Sequence, residues 1–518
     1  MTASINSGDA PDKCDTFLRY LEAEKLRHED VFRDFLLADT DPLLSVVVPV
    51  CNTPLAWLRE CIASVVQQSY PRWELCLIDD GSSPDSGVGE LLMQMSAADP
   101  RVRVRFLPEN HGIAGATNVG LSDAAGDFVA LLDHDDRLAR HALLYICLAV
   151  RSNPEAGLIY TNSDRITATG ARADPYFKPA WNHALLLSHN YLNHLSVYSA
   201  NLVARLGGMA PECDGSQDYD YVLRAVESLG RSEILHIPEL LYHWRVVEGS
   251  VSLGNLGLAV KRGRAVLRDH LLRLGSSARP EPHPDQVIYN TLAFDKPGGE
   301  LSCLVYGSDE ADIRLTCKSV VEDTPDGLRL RLETLHERPA SLSGAICCWI
   351  SSRPAGPVLL VMAGITVASP GAVLAMVSRL KGTHAVAVGP ALQLAGGVIA
   401  PAVEVGTDSD YESSISAFVL SFDLEVCALS TACILLDTRH GSPSPMCFDS
   451  GYLTTSTQFL AGVQPSATSP PVLLWTPRAH CMSTSSRVDL GVLSQPGDVQ
   501  TWRDDAGDIS GNVRGRSS

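Results

Sequence analysis

An apolar run that ends on acid limits most what this chain can fold into. Phe128 to Leu132, FVALL, has strand length and no polar residue, and Asp133, Asp135 and Asp136 follow within four positions. Such a run suits a buried strand of an open α/β sheet, where ligands bind in the crevice at the carboxyl ends of the strands. Acids there can meet a bound group directly. Carboxylate oxygens suit Mg²⁺ or Mn²⁺, which in turn hold phosphate oxygens. The plainer reading of these ten residues alone is a loop that is acidic because the whole chain is.

The flanking sequence repeats the pattern. LLSVVVPV, Leu43 to Val50, reads as a buried strand entering the loop Cys51-Asn52-Thr53-Pro54. Leu55 to Gln68 has helical spacing, and Trp73 to Ile78 is a second strand that ends on Asp79-Asp80-Gly81-Ser82-Ser83. Strand, helix, strand is a βαβ unit with a right-handed crossover. Val102 to Leu107 is a third strand, leading into Asn110-His111-Gly112-Ile113-Ala114-Gly115-Ala116-Thr117-Asn118. Its glycines allow close backbone approach, and the helix start after it offers free N–H groups to an anion. The stretch is neither GxGxxG nor a P-loop. Further on, Gly215-Ser216-Gln217-Asp218-Tyr219-Asp220 opens a helix, where the acids are either capping partners or a general base facing the crevice. Leu241-Tyr242-His243-Trp244-Arg245 combines a metal-ligating imidazole with a fixed cation.

At 518 residues the chain exceeds one ordinary core, and a formal net charge of −19 argues against a general affinity for nucleic acid. Its 14 cysteines show no CxxC pair, which reads as reduced thiols. The N-terminus lacks the basic and then apolar layout of a signal peptide. Pro357 to Val377 is uncharged and long enough to span a membrane, but Gly364, Ser369, Pro370 and Gly371 divide it into a strand-sized and a helix-sized half.

VVVPVCNTP, LCLIDDGSS, NHGIAGATN, LLDHDD, PYFKPAW, NYLNH, GSQDYDYVLR and LYHWRVVEGS fall in a familiar order across about residues 43 to 252. Together they resemble the glycosyltransferase family 2 enzymes of GT-A fold, the nucleotide-diphospho-sugar transferase fold with a mixed, mostly parallel sheet. The likeness is to the bacterial rhamnosyltransferase-like members of O-antigen and surface-polysaccharide synthesis. It implies that Pro49, Asn52, Asp79 and Asp80 hold the base and ribose of a nucleotide-sugar, with Asn110, Gly115 and Asn118 lining the same half. Asp133 and Asp135 resemble the DxD pair that ties a divalent cation to the diphosphate, with His243 completing the metal set and Arg245 the diphosphate site. Asp218 stands in the place of the catalytic base, which leaves Asp220 structural. The expected reaction is an inverting, metal-dependent transfer from a donor such as dTDP-rhamnose to a hydroxyl of a glycan acceptor. One departure stands out: where relatives carry an acidic run after the strand ending near Asn162, only Asp164 remains here. A rival reading is a non-catalytic nucleotide-sugar-binding scaffold, which has no need of a base.

The expected organisation is an N-terminal helical segment (1–42), a GT-A domain (43–254), a helix and linker (255–286), a second α/β domain read as a degenerate GT-A copy (287–480) and a mostly disordered tail (481–518). In that second domain LVMAGI stands where LLDHDD would recur, so no carboxylate is available for a metal. The resemblance further implies a cytoplasmic protein, peripheral at the inner face of the plasma membrane where its acceptor is lipid-linked, and working beside other glycan-assembly enzymes.

Overall fold

The structure is a computed structural model. It describes residues 10–167, 170–246, 256–284, 286–295, 298–336, 339–367, 371–382, 385–394 and 397–399, and thereafter Arg439 and the strand segments from 424 to 502 named below. The chain divides into two compact units. The first comprises Met1–Lys178, Leu192–Ala259 and Gly406–Ser414, and the second takes the remainder, including Pro179–Tyr191. The 179–191 stretch, expected inside the GT-A domain, falls with the second unit, where Asn290 donates its backbone N–H to the Ser188 carbonyl at 2.9 Å.

In chain order the first unit holds α1 (Ala10–Asp34), β1 (Leu44–Val50), α2 (Leu55–Val66), β2 (Trp73–Asp79), α3 (Val88–Ala98), β3 (Val102–Phe106), α4 (Gly112–Asp123), β4 (Phe128–Leu131), β5 (Arg137–Leu138), α5 (Ala142–Ser152), β6 (Leu158–Ile166) and β7 (Arg172–Tyr176). After the short α6 (His183–Leu186) of the second unit come β8 (Ser196–Ser199), α7 (Ala200–Leu206), α8 (Gln217–Glu227) and β9 (Ile234–Arg245). The sheet order is β3-β2-β1-β4-β8-β6-β9-β5, with β7 on β6. Strands β1 to β4 are mutually parallel where they pair, β8 runs against both β4 and β6, and β9 lies parallel to β6.

The apolar runs explain this order. Val46, Val47 and Val48 of β1 and Leu75 and Leu77 of β2 are inaccessible to solvent, as central strands covered on both faces must be. Away from the acidic loops, Glu74 accepts from the Ser45 hydroxyl and the Ala125 N–H at 2.6 Å each and from Arg103 at 2.7 Å, pinning β1, β2, β3 and the turn into β4. At the other end β4 leaves its ladder after the Val47↔Leu131 pair, beside Pro49, which has no N–H to give. The acidic loop departs there.

Two strands run longer than their sequence suggests. β6 continues past Asn162 to Ile166 because Ser163–Ile166 pairs with both β7 and β9. β9 passes through Pro238 as one strand, with register shifts against β6 absorbing the proline.

The second unit carries the helix Leu256–Arg273 (from Val260 onward), β10 (Arg279–Pro282), β11 (Asn290–Ala293), β12 (Gly299–Gly307), β13 (Leu328–His336), β14 (Pro357–Met362), β15 (Ile365–Val367), β16 (Ala385–Leu394), β17 (Gly397–Ile399), β18 (Leu424–Val426), β19 (Ala428–Ser430), β20 (Cys433–Asp437), β21 (Tyr452–Thr454), β22 (Val472–Ser483) and β23 (Thr501–Trp502). The sequence β13-β12-β14-β20-β16-β22 is parallel, parallel, antiparallel, antiparallel, parallel, with β15 antiparallel to β22. In the first unit β2-β1-β4-β8-β6-β9, with β5 on β9, shows the same succession. The uncharged 357–377 stretch is split as expected, into the strands β14 and β15 and the start of the helix Ala372–Gly382. No helix among the described residues is long and apolar enough to cross a membrane. The tail expected from 481 lies outside the described residues, apart from the end of β22 and β23.

Helix α4 packs on β1 so closely that a Cβ at Gly120 would stand 2.3 Å from Val47 Cγ1 and 3.3 Å from Ile78 Cγ1. Val47 is β-branched and inaccessible, so it cannot rotate aside. Gly120→Ala is expected to destabilise the first unit by about 1–3 kcal/mol in urea unfolding; an unchanged midpoint would show that α4 can lift off the sheet without cost.

Candidate active site

The carboxyl ends of β1, β2 and β9, the loops after β1 to β4, and the starts of α4 and α8 carry the residues singled out in the sequence. They form two groups. In the first, Asn52 sits at φ 49°, donates its N–H to the Ser82 hydroxyl at 2.9 Å and accepts from Ser83 N–H at 2.8 Å. Asp79 accepts from Ser82 N–H at 3.2 Å, and Asp80 from His111 N–H at 2.7 Å. Asn110 donates to the Asp80 carbonyl at 3.0 Å and to Cys51 Sγ at 3.3 Å. The ends of β1 and β2 and the loop into α4 are thus one hydrogen-bonded rim. Pro49 is half-buried in β1, paired with Ile78.

Two residues expected to line this half do other work. Asn118 accepts from Met209 N–H at 2.6 Å and donates to the Met209 carbonyl at 2.9 Å, so its amide is engaged in clamping the 207–209 turn onto α4. Gly115 faces its own helix cap, since a Cβ there would stand 2.7 Å from His111 Cβ.

The second group surrounds the acids. Asp136 is inaccessible, accepts from the Tyr242 hydroxyl at 2.5 Å and from Arg245 N–H at 2.6 Å, and lies next to Asp133, whose N–H donates to the Tyr242 oxygen at 3.3 Å. Arg245 donates Nε to the Asp135 carbonyl at 2.7 Å and Nη2 to Glu60 at 2.6 Å, while its buried Nη1 has no partner. Burial first, then the charges of Asp133 and Asp135, push the Asp136 carboxyl well above the usual range; burial and Asp133 raise Asp135 as well, against His134. Asp133 remains part-exposed, with His194 Nε2 4.0 Å from its carboxylate. His194 in turn stacks on Tyr242, centroids 4.8 Å apart. A weak contact, Cys51 N–H to His134 Nδ1 at 3.4 Å, joins the two groups.

Asp218, in the first turn of α8, belongs to this second group. Burial, and after it the charge of Asp133, push its carboxyl up to about 7, against the side-chain hydrogen bonds of Gln217 and Asn193 that favour the ionised form. Asp220 instead pairs with Arg224 one helical turn on, at 2.8 Å. His243 gives one ring nitrogen, Nδ1, to Asp164 at 2.6 Å, so only Nε2 remains for a ligand. Among the described residues the three side chains expected to hold the cation do not bring their ligand atoms within 4.8 Å of one another; the group that does is Glu24, His28 and Glu239.

Sequence reasoning passed over Tyr242, Glu60, Asn193 and the role of His194. Tyr242 sits between the acidic loop and β9, and its signal was its place in LYHWR, beside residues that were noticed. Glu60 gave none, because an acid on a helix reads as solvated until the fold sets it against Arg245.

Residues 45–200 match the family model described as Glycosyl transferase family 2. Residues over 46% of the chain are 44% identical to an uncharacterized protein of Sinorhizobium fredii, y4gI, of which they cover 26%. Over 53% of the chain, identity is 38% to the O-antigen biosynthesis protein RfbC of Myxococcus xanthus, of which 21% is covered. The chain thus spans about a quarter of the length of these curated relatives. The crystal structure of S. aureus TarS 1–349 aligns over 44% of this chain and 65% of that one, at 16% identity and a TM-score of 0.36.

The raised carboxyl has a consequence for stability. Because the folded value of Asp218 lies above its ordinary 3.8, the folded state holds the proton more tightly, so its contribution is full below about pH 4 and is lost as pH rises through about 7. Unfolding of the metal-free protein is expected to become easier across that window, with Asp218→Asn flattening the slope. A wild-type slope that rises instead would contradict the geometry.

Proposed function

We propose that the chain is an inverting glycosyltransferase that moves a sugar from a nucleoside-diphosphate donor to a hydroxyl of a growing glycan in polysaccharide biosynthesis. The observation that carries this reading is the juxtaposition of Asp218 with Asp133: a carboxyl at a helix start, shifted in part by the charge of the acidic loop. A scaffold that only held a nucleotide would have no use for such a base. The name of the Myxococcus xanthus relative supports a glycan product.

The residues present fit a divalent cation. Asp133 and Asp135 offer hard oxygen donors in a cluster short of positive charge, and Arg245 keeps one buried guanidinium nitrogen without a partner beside them. Asp133 and Asp135 would hold Mg²⁺ or Mn²⁺, with the Nε2 of His243 completing the set only if it moves in on binding, since the three ligand atoms are not all within 4.8 Å of one another here. When bound, the cation neutralises charge on the departing nucleoside diphosphate. Arg245 adds fixed positive charge on the same side. Asp218 takes the acceptor proton as the hydroxyl attacks the anomeric carbon, and a single base opposite the leaving group gives inversion. The rim of Asn52, Asp79, Asp80 and Asn110 would seat base and ribose.

The donor is sought among dTDP-rhamnose and UDP- and GDP-sugars. A lipid-linked glycan acceptor, as the family resemblance implies, would bring the chain to the inner face of the plasma membrane, beside other assembly enzymes. The second unit repeats the strand pairing of the first, but only Ala363 and Gly364 separate β14 from β15, where five residues, Leu132–Asp136, separate β4 from β5. It is a degenerate copy with no carboxylate at that turn, kept for packing, acceptor docking or assembly.

Asp218→Asn is expected to lower sugar transfer by about 10²–10⁴-fold while nucleotide-sugar binding, followed by calorimetry, persists. Near-normal turnover in that variant would remove Asp218 from the mechanism. The wild-type rate should rise with pH along a limb set by Asp218 and level off above it, and Asp218→Asn should remove that limb.

A further inference from the structure

A chain of charged groups that begins outside the matched residues ends on His243. Glu24, on α1, is 3% exposed and holds both terminal nitrogens of Arg172, Nη1 at 2.5 Å and Nη2 at 3.2 Å. The same guanidinium donates Nε to Asp164 Oδ2 at 2.5 Å, and Asp164 Oδ1 meets His243 Nδ1 at 2.6 Å. Asp164 is 2% exposed and His243 8%, and the two are register partners across β6 and β9. Four consecutive side chains therefore link the N-terminal helix to the ring.

We propose that Glu24 is a positioning residue of the active site: it holds Arg172 in place so that Asp164 fixes His243 with its Nε2 lone pair free. This rests on the reading of His243 as a cation ligand. A carboxylate accepting from Nδ1–H sets both the tautomer and the orientation of a ligating imidazole. Asp164 can do so with one oxygen only while its other oxygen is engaged. Without Glu24, the guanidinium fork is free to take both Asp164 oxygens side by side, the geometry arginine favours with a carboxylate, and Oδ1 is drawn off the ring.

Mere docking of α1 has a separate anchor. Arg27 and His28 both reach Glu239, each at 3.1 Å, and Tyr20 packs edge-on against Phe177. Glu24, His28 and Glu239 have the spacing of a metal site, but Arg172 and Arg27 occupy the two carboxylates, which makes the group an ion-pair network. The two roles of the helix can therefore be separated by mutation.

The experiment compares Glu24→Gln with Arg27→Gln in the full chain. It reads the His243 ring nitrogens by ¹⁵N NMR, Mn²⁺ affinity by electron paramagnetic resonance, and the melting temperature. Glu24→Gln is expected to move the ring away from its single Nδ1–H tautomer and to weaken Mn²⁺ binding about tenfold. Glu24→Asp should restore part of both, and Arg27→Gln should lower the melting temperature while leaving ring and Mn²⁺ affinity at their wild-type values. Should Glu24→Gln not fold, Arg172→Lys, which keeps the charge but lacks the fork, carries the same expectation for the ring. An unchanged His243 tautomer in Glu24→Gln, or an equal change in Arg27→Gln, would overturn the proposal. The ring readout needs neither cation nor donor, so it judges the relay even if the protein proves to bind no nucleotide-sugar.

Discussion

Three carboxylates at the end of one buried strand repel each other, and the first unit is built around containing that repulsion. Two like charges about 4 Å apart in a partly dry site oppose each other by several kcal/mol. Strand β9 supplies the containment: the Tyr242 hydroxyl and the Arg245 N–H both bind the Asp136 carboxylate, and the Arg245 side chain caps the Asp135 carbonyl. One acid is thereby fixed in place as a structural group. The remaining charge on Asp133 and Asp135 is left for a ligand to neutralise, and it is felt as far as Asp218.

Among the described residues the second unit shows the same succession of strand pairings without carboxylates at the corresponding turn. Its strands pair in the same succession of parallel and antiparallel neighbours, yet the turn from β14 to β15 is only Ala363 and Gly364. A Cβ on Gly307 would already stand 2.5 Å from Ala363 Cβ, so this corner is closed where the first unit opens into a loop. Fold and site are separable.

Much of this was legible in the amino-acid sequence because central strands announce themselves as apolar runs and their polar ends mark the crevice. FVALL, SVVVPV and WELCLI lie where the runs place them, and Asp79, Asp80 and Asp133 fall at strand ends. What the sequence hid was partnership. Asn118 reads as a polar group near glycines, but its amide serves the Met209 backbone; Arg245 reads as a ready cation, but three of its N–H groups are engaged holding Asp135, Asp136 and Glu60 in place. Asp164 reads as the remnant of an acidic run, and its carboxylate lies 2.6 Å from His243 Nδ1. Such roles depend on register across β6 and β9, which are about eighty residues apart, and no local pattern carries that.

The central claim is that Asp133 and Asp135 grip a cation that neutralises a departing diphosphate. Anomalous diffraction from crystals grown with Mn²⁺ and, in turn, UDP, dTDP and GDP tests it most directly. The account requires a Mn²⁺ peak about 2.1 Å from carboxylate oxygens of Asp133 and Asp135, shared with the nucleotide's diphosphate. A nucleotide bound in the crevice with no metal at those oxygens, or Mn²⁺ found only at Glu24, His28 and Glu239, would contradict it.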